Sequence, residues 1–255
     1  MKYNRFLPLF IPLISLILSE FYFFNNKLIY VVLVVVLLLL FFAIRQFVLA
    51  GNSSEKWYNF YISPALLFSS LIFFTTLIVG KWLVQIALIS ATVLMHLYLK
   101  MLYIYLVNFN LRQKENLENF SSYGNFLSLY LLSSSLYGIR AFLNFPVWPL
   151  MIVMIAGLFL LIYQNFWING IRFKTNAFYT LIITLVLAEL AWSITFLTLS
   201  FYILGLIITV CYYILFGISR FYLKDQLDGK VIKWYLIFGL ASILIVLLSA
   251  RWFEI

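Results

Sequence analysis

The sequence has 255 residues, of which 65% are hydrophobic and only 10% are charged. Soluble domains have roughly 45–50% apolar and about 25% charged residues, so this composition excludes a water-soluble fold. The formal net charge of +9 does not indicate nucleic-acid binding, because the basic residues stand singly or in pairs at the ends of apolar runs, where membrane proteins carry their topology signals.

Continuous apolar segments predict an all-α bundle of about nine transmembrane helices. Residues 28–44 are apolar at every position, unlike the alternating strands of an outer-membrane barrel. A helix that crosses a hydrocarbon core of about 30 Å needs roughly 17–25 residues. In chain order the predicted spans are 6–24, 28–44, 58–79, 82–107, 123–143, 147–168, 177–197, 199–219 and 234–250. They form a single membrane domain, residues 1–255, with no soluble domain and with its longest connection at 108–122.

The distribution of Lys and Arg predicts the orientation of this bundle. If the N-terminus is cytoplasmic, the cytoplasmic segments hold thirteen Lys and Arg residues and the outer segments hold four. Cytoplasmic loops are enriched in these residues, so we predict a cytoplasmic N-terminus, an external C-terminus and a location in the cell membrane. The first span resembles a signal peptide in its basic start. We expect it to be retained, because Glu20 and the aromatic run 21–24 replace the small residues of a cleavage site.

Glu189 is the deepest carboxylate of the predicted bundle. It lies eight residues from the end of its span, or about 12 Å at 1.5 Å per residue. Trp192 follows at i+3, which predicts that the two side chains share a helix face. A charge inside a span costs about 2.5–3.5 kcal/mol on insertion scales. Two interpretations remain open: a site whose carboxylate binds a cation, relays a proton or binds a polar headgroup, and a protonated or paired carboxyl that joins two helices.

Arg140 and Glu20 lie three and four residues from the outer ends of their spans. Their similar depth predicts either a salt bridge or two side chains that extend to the headgroups. Ser133 and Tyr137 share a helix face with Arg140 and predict a polar seam. Together with Glu189, these residues place the candidate site toward the outer leaflet.

His96 is the weakest candidate for a site residue. The sequence has one His and one Cys, so the usual ligands of a zinc site are missing and we predict no metal. We interpret His96 as a hydrogen-bonded packing residue. No phosphate-binding or dinucleotide-binding motif is present, and we predict no cofactor.

These features predict a multi-pass membrane protein without identifying its activity. The favoured hypothesis is a non-enzymatic protein: a small permease-like or lipid-binding bundle, or the membrane subunit of a complex. Its partners would be membrane lipids and other membrane subunits, not nucleic acid. One alternative is an intramembrane enzyme that acts on a lipid or polyprenyl substrate through Glu189. The other is a scaffold without a ligand.

Overall fold

The computed structural model describes residues 6–51, 56–107, 111–171 and 173–249. This part of the chain is all-helical and contains nine α-helices, each long and apolar enough to span a membrane. The all-helical structure confirms the predicted all-α class. Helices of this length and composition are compatible with a membrane protein. The helices are α1 (Leu7–Phe24), α2 (Ile29–Ala50), α3 (Trp57–Thr75), α4 (Lys81–Val107), α5 (Leu111–Leu143), α6 (Val147–Ile168), α7 (Phe173–Ile194), α8 (Phe201–Leu223) and α9 (Gly229–Ser249).

Helix α5 differs most from its predicted span. It has 33 residues, or about 50 Å at 1.5 Å per residue, and it includes most of the segment predicted as the longest connection. That segment is polar but rich in good helix formers such as Arg, Gln, Lys and Glu. Lys114 and Glu118 form an i, i+4 ion pair at 3.8 Å on its surface. Hydropathy located the apolar half of α5 and missed the polar half because it measures solvent preference and not helix formation.

The helices group into two compact units, Met1–Ser128 and Leu129–Ile255, which divide within α5. In the first unit, α1 packs against α2 and α4, and α3 packs against the same two helices. In the second unit, α6 to α9 pack consecutively, each against the next. Each unit is described by itself below.

A proline in α3 creates a hydrogen-bonding need that α4 meets. Pro64 lies inside α3 and has no N–H, so the carbonyl of Phe60, four residues earlier, loses its helical donor. The Tyr98 hydroxyl donates to that carbonyl at 2.7 Å. Tyr98 is buried, so this bond joins α4 to α3 where the helical ladder of α3 is interrupted.

The same arrangement recurs between α4 and α1. Pro12 lies inside α1 and leaves the carbonyl of Pro8 without its helical donor. Nδ1 of His96 lies 2.7 Å from that oxygen, and the contact requires the tautomer with a proton on Nδ1. His96 therefore has a packing contact that explains its place inside an apolar helix.

In the second unit, Gly205 allows α8 to approach α5 closely. A Cβ at this position would lie 2.1 Å from the Ser134 Oγ and 2.9 Å from the Ser134 backbone nitrogen. The hydroxyl of Ser133, the preceding residue of α5, lies 3.3 Å from the carbonyl oxygen of Gly205. Small residues at such crossings let membrane helices pack backbone to backbone.

Candidate functional site

An open pocket of about 440 Å³ lies at one end of the second unit. Two connections form its walls: the turn between α5 and α6, which contributes Asn144, and the turn between α7 and α8, which contributes Thr195 and Leu199. Helix α5 contributes Tyr137 and Arg140. The α5–α6 turn is exposed, so the pocket opens at the protein surface.

Arg140 is the charged residue of this pocket lining. Its guanidinium carbon lies 5.9 Å from the centroid of the Phe196 ring, within the range of a cation–π contact. One terminal nitrogen, Nη1, is buried and has no hydrogen-bond partner among the described residues. A buried donor without an acceptor costs about 1–3 kcal/mol, and more when it is charged. The arrangement therefore favours an anion that could accept hydrogen bonds from Arg140.

Four helix ends meet at the pocket, and their dipoles do not determine the sign of its electrostatic potential. Helices α5 and α7 end there, and α6 and α8 begin there. Each helix end carries about half an elementary charge, negative at the C-terminus and positive at the N-terminus. Two ends of each kind offset one another, so the full positive charge of Arg140 sets the potential of the pocket.

Tyr137 holds the inner side of the pocket in place. Its hydroxyl donates to the carbonyl of Ala191 at 3.0 Å, and the side chain is buried. That carbonyl lies in the last turn of α7, where the amide of Thr195 bonds to Trp192 instead. Tyr137 thus caps the C-terminus of α7 from α5. Of the three residues in the predicted seam, Ser133 contacts α8, Tyr137 bonds to α7 and Arg140 lines the pocket.

Glu189 does not line this pocket. Its side chain is exposed, and within the described part of the chain the structure gives its carboxylate neither a hydrogen bond nor an ion pair. It lies five residues before the end of α7 at Ile194, or about 7.5 Å at 1.5 Å per residue. The sequence placed it deeper because the predicted span extended to residue 197, which belongs to the α7–α8 turn.

Trp192 is half-buried and packs on aromatic rings, whereas the Glu189 side chain is exposed. Its ring centroid lies 4.7 Å from that of Trp148 in α6 and 6.2 Å from that of Phe196. The i, i+3 spacing put Glu189 and Trp192 near each other on α7, but the indole packs against α6 while the carboxylate is exposed. The contact with Trp148 had no signal in the sequence, because it joins two helices.

Glu20 lies in the first unit and bonds within it. One of its carboxylate oxygens accepts a hydrogen bond from Nε2 of Gln85 at 3.0 Å, which links α1 to α4. The salt bridge of Glu20 with Arg140 stays a prediction. As for metals, the described residues contain no group of three or more His, Cys, Asp and Glu side chains that could hold an ion.

Comparison with known proteins places the chain in a family without giving it an activity. Residues 11–249 match the family described as "Protein of unknown function (DUF5656)", and the chain belongs to that family. No curated protein and no solved structure matches it.

Proposed function

We propose that this member of the DUF5656 family is a multi-pass protein of the cell membrane that binds the anionic headgroup of a lipid at the Arg140 pocket. One observation carries the proposal. Arg140 lines a pocket of about 440 Å³ and has a buried nitrogen without a hydrogen-bond partner among the described residues. This function develops the lipid-binding reading of the sequence and concerns binding, not catalysis.

The charge distribution supports the orientation of the proposed protein. Thirteen of seventeen Lys and Arg residues fall on one side of a nine-span topology, and that side is expected to be cytoplasmic. The N-terminus then lies inside and the C-terminus outside. The ends of α5 and α7 face outward, so the pocket opens at the outer leaflet.

The chemistry of Arg140 favours a phosphate or a carboxylate. A guanidinium presents its N–H groups in a planar fork that matches both anions in a bidentate geometry. Charge-assisted hydrogen bonds of this kind are roughly twice as strong as neutral ones. In surroundings with an effective dielectric constant of about 20, two unit charges 4 Å apart attract by about 4 kcal/mol.

The surroundings of the pocket favour a lipid over a free anion. Leu197 and Leu199 give the lining an apolar part, to which the exposed ring of Phe145 also belongs. Trp148, which follows the lining residue Val147, is exposed, and tryptophan is typical of the headgroup level of a membrane. The volume lies within the range of about 300–1,000 Å³ that is usual for small-molecule pockets. A headgroup could thus bind Arg140 while its glycerol portion contacts the leucines.

The geometry gives the enzyme reading no support. Glu189, the acid or base of that hypothesis, lies outside the pocket lining and is exposed on α7. The remaining lining contains the Tyr137 hydroxyl, which already donates to a carbonyl. A catalytic site needs titratable groups within reach of the reacting atoms.

Thermal unfolding of delipidated protein in detergent tests the proposal. The probes are phosphatidylglycerol, phosphatidylcholine and inorganic phosphate, and the variants are Arg140→Met and, as a control at the other end of the second unit, Arg220→Met. Phosphatidylglycerol should stabilise the protein most. At a concentration 100 times its Kd the stabilisation is about 2.7 kcal/mol. Arg140→Met should abolish that gain and Arg220→Met should keep it.

The same experiment separates binding from a structural role for Arg140. Without lipid, Arg140→Met should be no less stable than the parent protein, because it removes a charged donor that has no acceptor among the described residues. Equal stabilisation of parent and Arg140→Met by phosphatidylglycerol would contradict the proposal. An equal response to inorganic phosphate would assign the pocket to a free anion instead.

A further inference from the structure

The polar side chains that line the Arg140 pocket ask for more than an anion. They belong to four residues, Tyr137, Arg140, Asn144 and Thr195. An ionised phosphodiester offers only acceptors, so it pairs with the guanidinium and its N–H donors. The other three side chains present oxygen atoms that accept hydrogen bonds. A ligand that satisfies them carries neutral hydrogen-bond donors in addition to its negative charge.

Asn144 is the least committed polar group of the lining. It lies in the turn between α5 and α6, its side chain is exposed, and its amide makes no hydrogen bond with the described residues. A side-chain amide has a carbonyl acceptor and an NH₂ group with two donors. Asn144 can therefore bind a group that both donates and accepts, such as a hydroxyl.

Thr195 contributes an acceptor from the other wall, the turn between α7 and α8. Its hydroxyl donates to the backbone carbonyl of Trp192, so its proton is committed and its oxygen accepts from a ligand. The hydroxyl of Tyr137 is committed in the same way to the carbonyl of Ala191. Hydroxyl groups of a ligand complement both walls, because each can donate to Thr195 or exchange hydrogen bonds with Asn144.

The lining has no group that would hold a cationic headgroup. None of the described residues that line the pocket is Asp or Glu. An ammonium group would find the same oxygen acceptors, but it would lie in one pocket with the guanidinium of Arg140. Like charges at such separations repel, and the lining offers no carboxylate to offset the repulsion. Electrostatics therefore separates a neutral alcohol from an amine as the second part of the headgroup.

We propose that the Arg140 pocket is selective for a phosphodiester lipid whose headgroup alcohol is a neutral polyol such as glycerol, with Asn144 and Thr195 binding its hydroxyl groups. The inference rests on the proposed lipid binding and specifies the headgroup. Arg140 binds the phosphate, and the volume of about 440 Å³ holds the alcohol beside it. A phosphodiester without hydroxyl groups leaves Asn144 and Thr195 unpaired.

Matched lipids test the selectivity with delipidated full-length protein in detergent, by titration of thermal stability. Phosphatidylglycerol and phosphatidylmethanol carry the same charge and differ in the hydroxyl groups of the alcohol, and phosphatidylethanolamine supplies an ammonium. The parent protein should bind phosphatidylglycerol about tenfold more tightly than phosphatidylmethanol, as one or two neutral hydrogen bonds provide. Phosphatidylethanolamine should bind most weakly. Equal affinity for phosphatidylglycerol and either other lipid would overturn the inference.

A soluble probe separates a lipid from a free polyol phosphate. Glycerophosphoglycerol has the headgroup of phosphatidylglycerol without its acyl chains. It should bind much more weakly than the lipid, because it lacks the contacts of the chains with the apolar surroundings of the pocket. Equal affinity for the two would overturn the assignment to a lipid and leave a soluble polyol phosphodiester as the ligand.

Asn144→Gly removes the amide and keeps the backbone. Asn144 has a φ of 49°, a left-handed conformation that glycine adopts without strain. The variant should prefer phosphatidylglycerol over phosphatidylmethanol by about threefold or less, with unchanged affinity for phosphatidylmethanol. Asp225→Gly is the matched control, because Asp225 has a φ of 54° and follows α8 at the other end of the second unit. It should keep the tenfold preference, and a preserved preference in Asn144→Gly would refute the role of Asn144.

Asn144→Asp supplies the carboxylate that the lining lacks. It should weaken phosphatidylglycerol binding by about tenfold and strengthen phosphatidylethanolamine binding, because a carboxylate repels the phosphate and pairs with an ammonium. Unchanged affinity for both lipids would contradict a headgroup beside Asn144.

Arg140→Met distinguishes failure of this inference from failure of the proposed function. Equal binding of phosphatidylglycerol and phosphatidylmethanol by the parent, with both lost in Arg140→Met, would overturn the headgroup selectivity and leave lipid binding in place. Absence of binding by the parent, or equal binding by parent and Arg140→Met, would overturn both.

Discussion

Replacing Gly205 by alanine tests the close approach of α8 to α5. The added Cβ would lie 2.1 Å from the Ser134 Oγ, 2.9 Å from its backbone nitrogen and 3.1 Å from its Cα. The hydroxyl can rotate, but the backbone atoms move only if the helices separate by about half an ångström. Such overpacking costs about 1–3 kcal/mol, and the higher helix propensity of alanine returns up to about 1 kcal/mol. We expect a net loss of about 1–2 kcal/mol in the free energy of unfolding.

Gly239→Ala is the matched control, because the first distance is the same and the obstacle is different. The Cβ at this position would lie 2.1 Å from Cδ1 and 2.5 Å from Cγ1 of Ile214. These atoms belong to a side chain and not to a backbone, and α9 packs against α8 alone among the helix pairs described for it. A change of rotamer at Ile214 relieves the contact. We therefore expect a smaller loss for Gly239→Ala than for Gly205→Ala, because a side chain can move without separating the two helices.

Reversible unfolding in one detergent, followed for both glycine variants, measures the difference. The double variant Ser134→Ala, Gly205→Ala removes the hydroxyl and keeps the backbone obstacle, so it should remain destabilised. Full recovery in the double variant would show that the hydroxyl alone obstructs the Cβ. Equal stability of Gly205→Ala and Gly239→Ala would refute the reasoning from backbone contact.

Two further predictions concern the first unit and the orientation of the chain. Tyr98→Phe removes the donor to Phe60 and should cost about 0.5–2 kcal/mol in unfolding free energy. The loss should be smaller in a Pro64→Ala background, where the restored N–H bonds to Phe60 and only the hydrogen bond of the Tyr98 hydroxyl with Ser121 is lost. An equal loss in both backgrounds would contradict this account. With the native cysteine removed, Thr198→Cys should react with an impermeant thiol reagent in intact cells and Gly229→Cys should not. The reverse pattern would overturn the proposed orientation.

The sequence determined the class of the protein and the number of apolar helices. In lipid a backbone must satisfy its own hydrogen bonds, so each span has to be a continuous apolar segment of helical length. That constraint is written directly in the sequence and needs no knowledge of contacts. Helical spacing also placed Ser133, Tyr137 and Arg140 on one face, because the spacing of an α-helix is local.

Tertiary structure alone decided what those residues meet. The pocket of Arg140 depends on two turns that are distant in sequence, and neither Asn144 nor Thr195 carries a pattern that marks it. The outward direction of Glu189 depends on which face of α7 packs against α6 and α8, and an almost uniformly apolar helix does not encode that choice in its periodicity. A sequence shows which carbonyls lose their helical donor to a proline, but it does not show that Tyr98 and His96 of α4 contact those carbonyls. Membership of a site is set by contacts between helices, and in a chain whose exposed and buried residues are equally apolar, hydropathy does not distinguish the two.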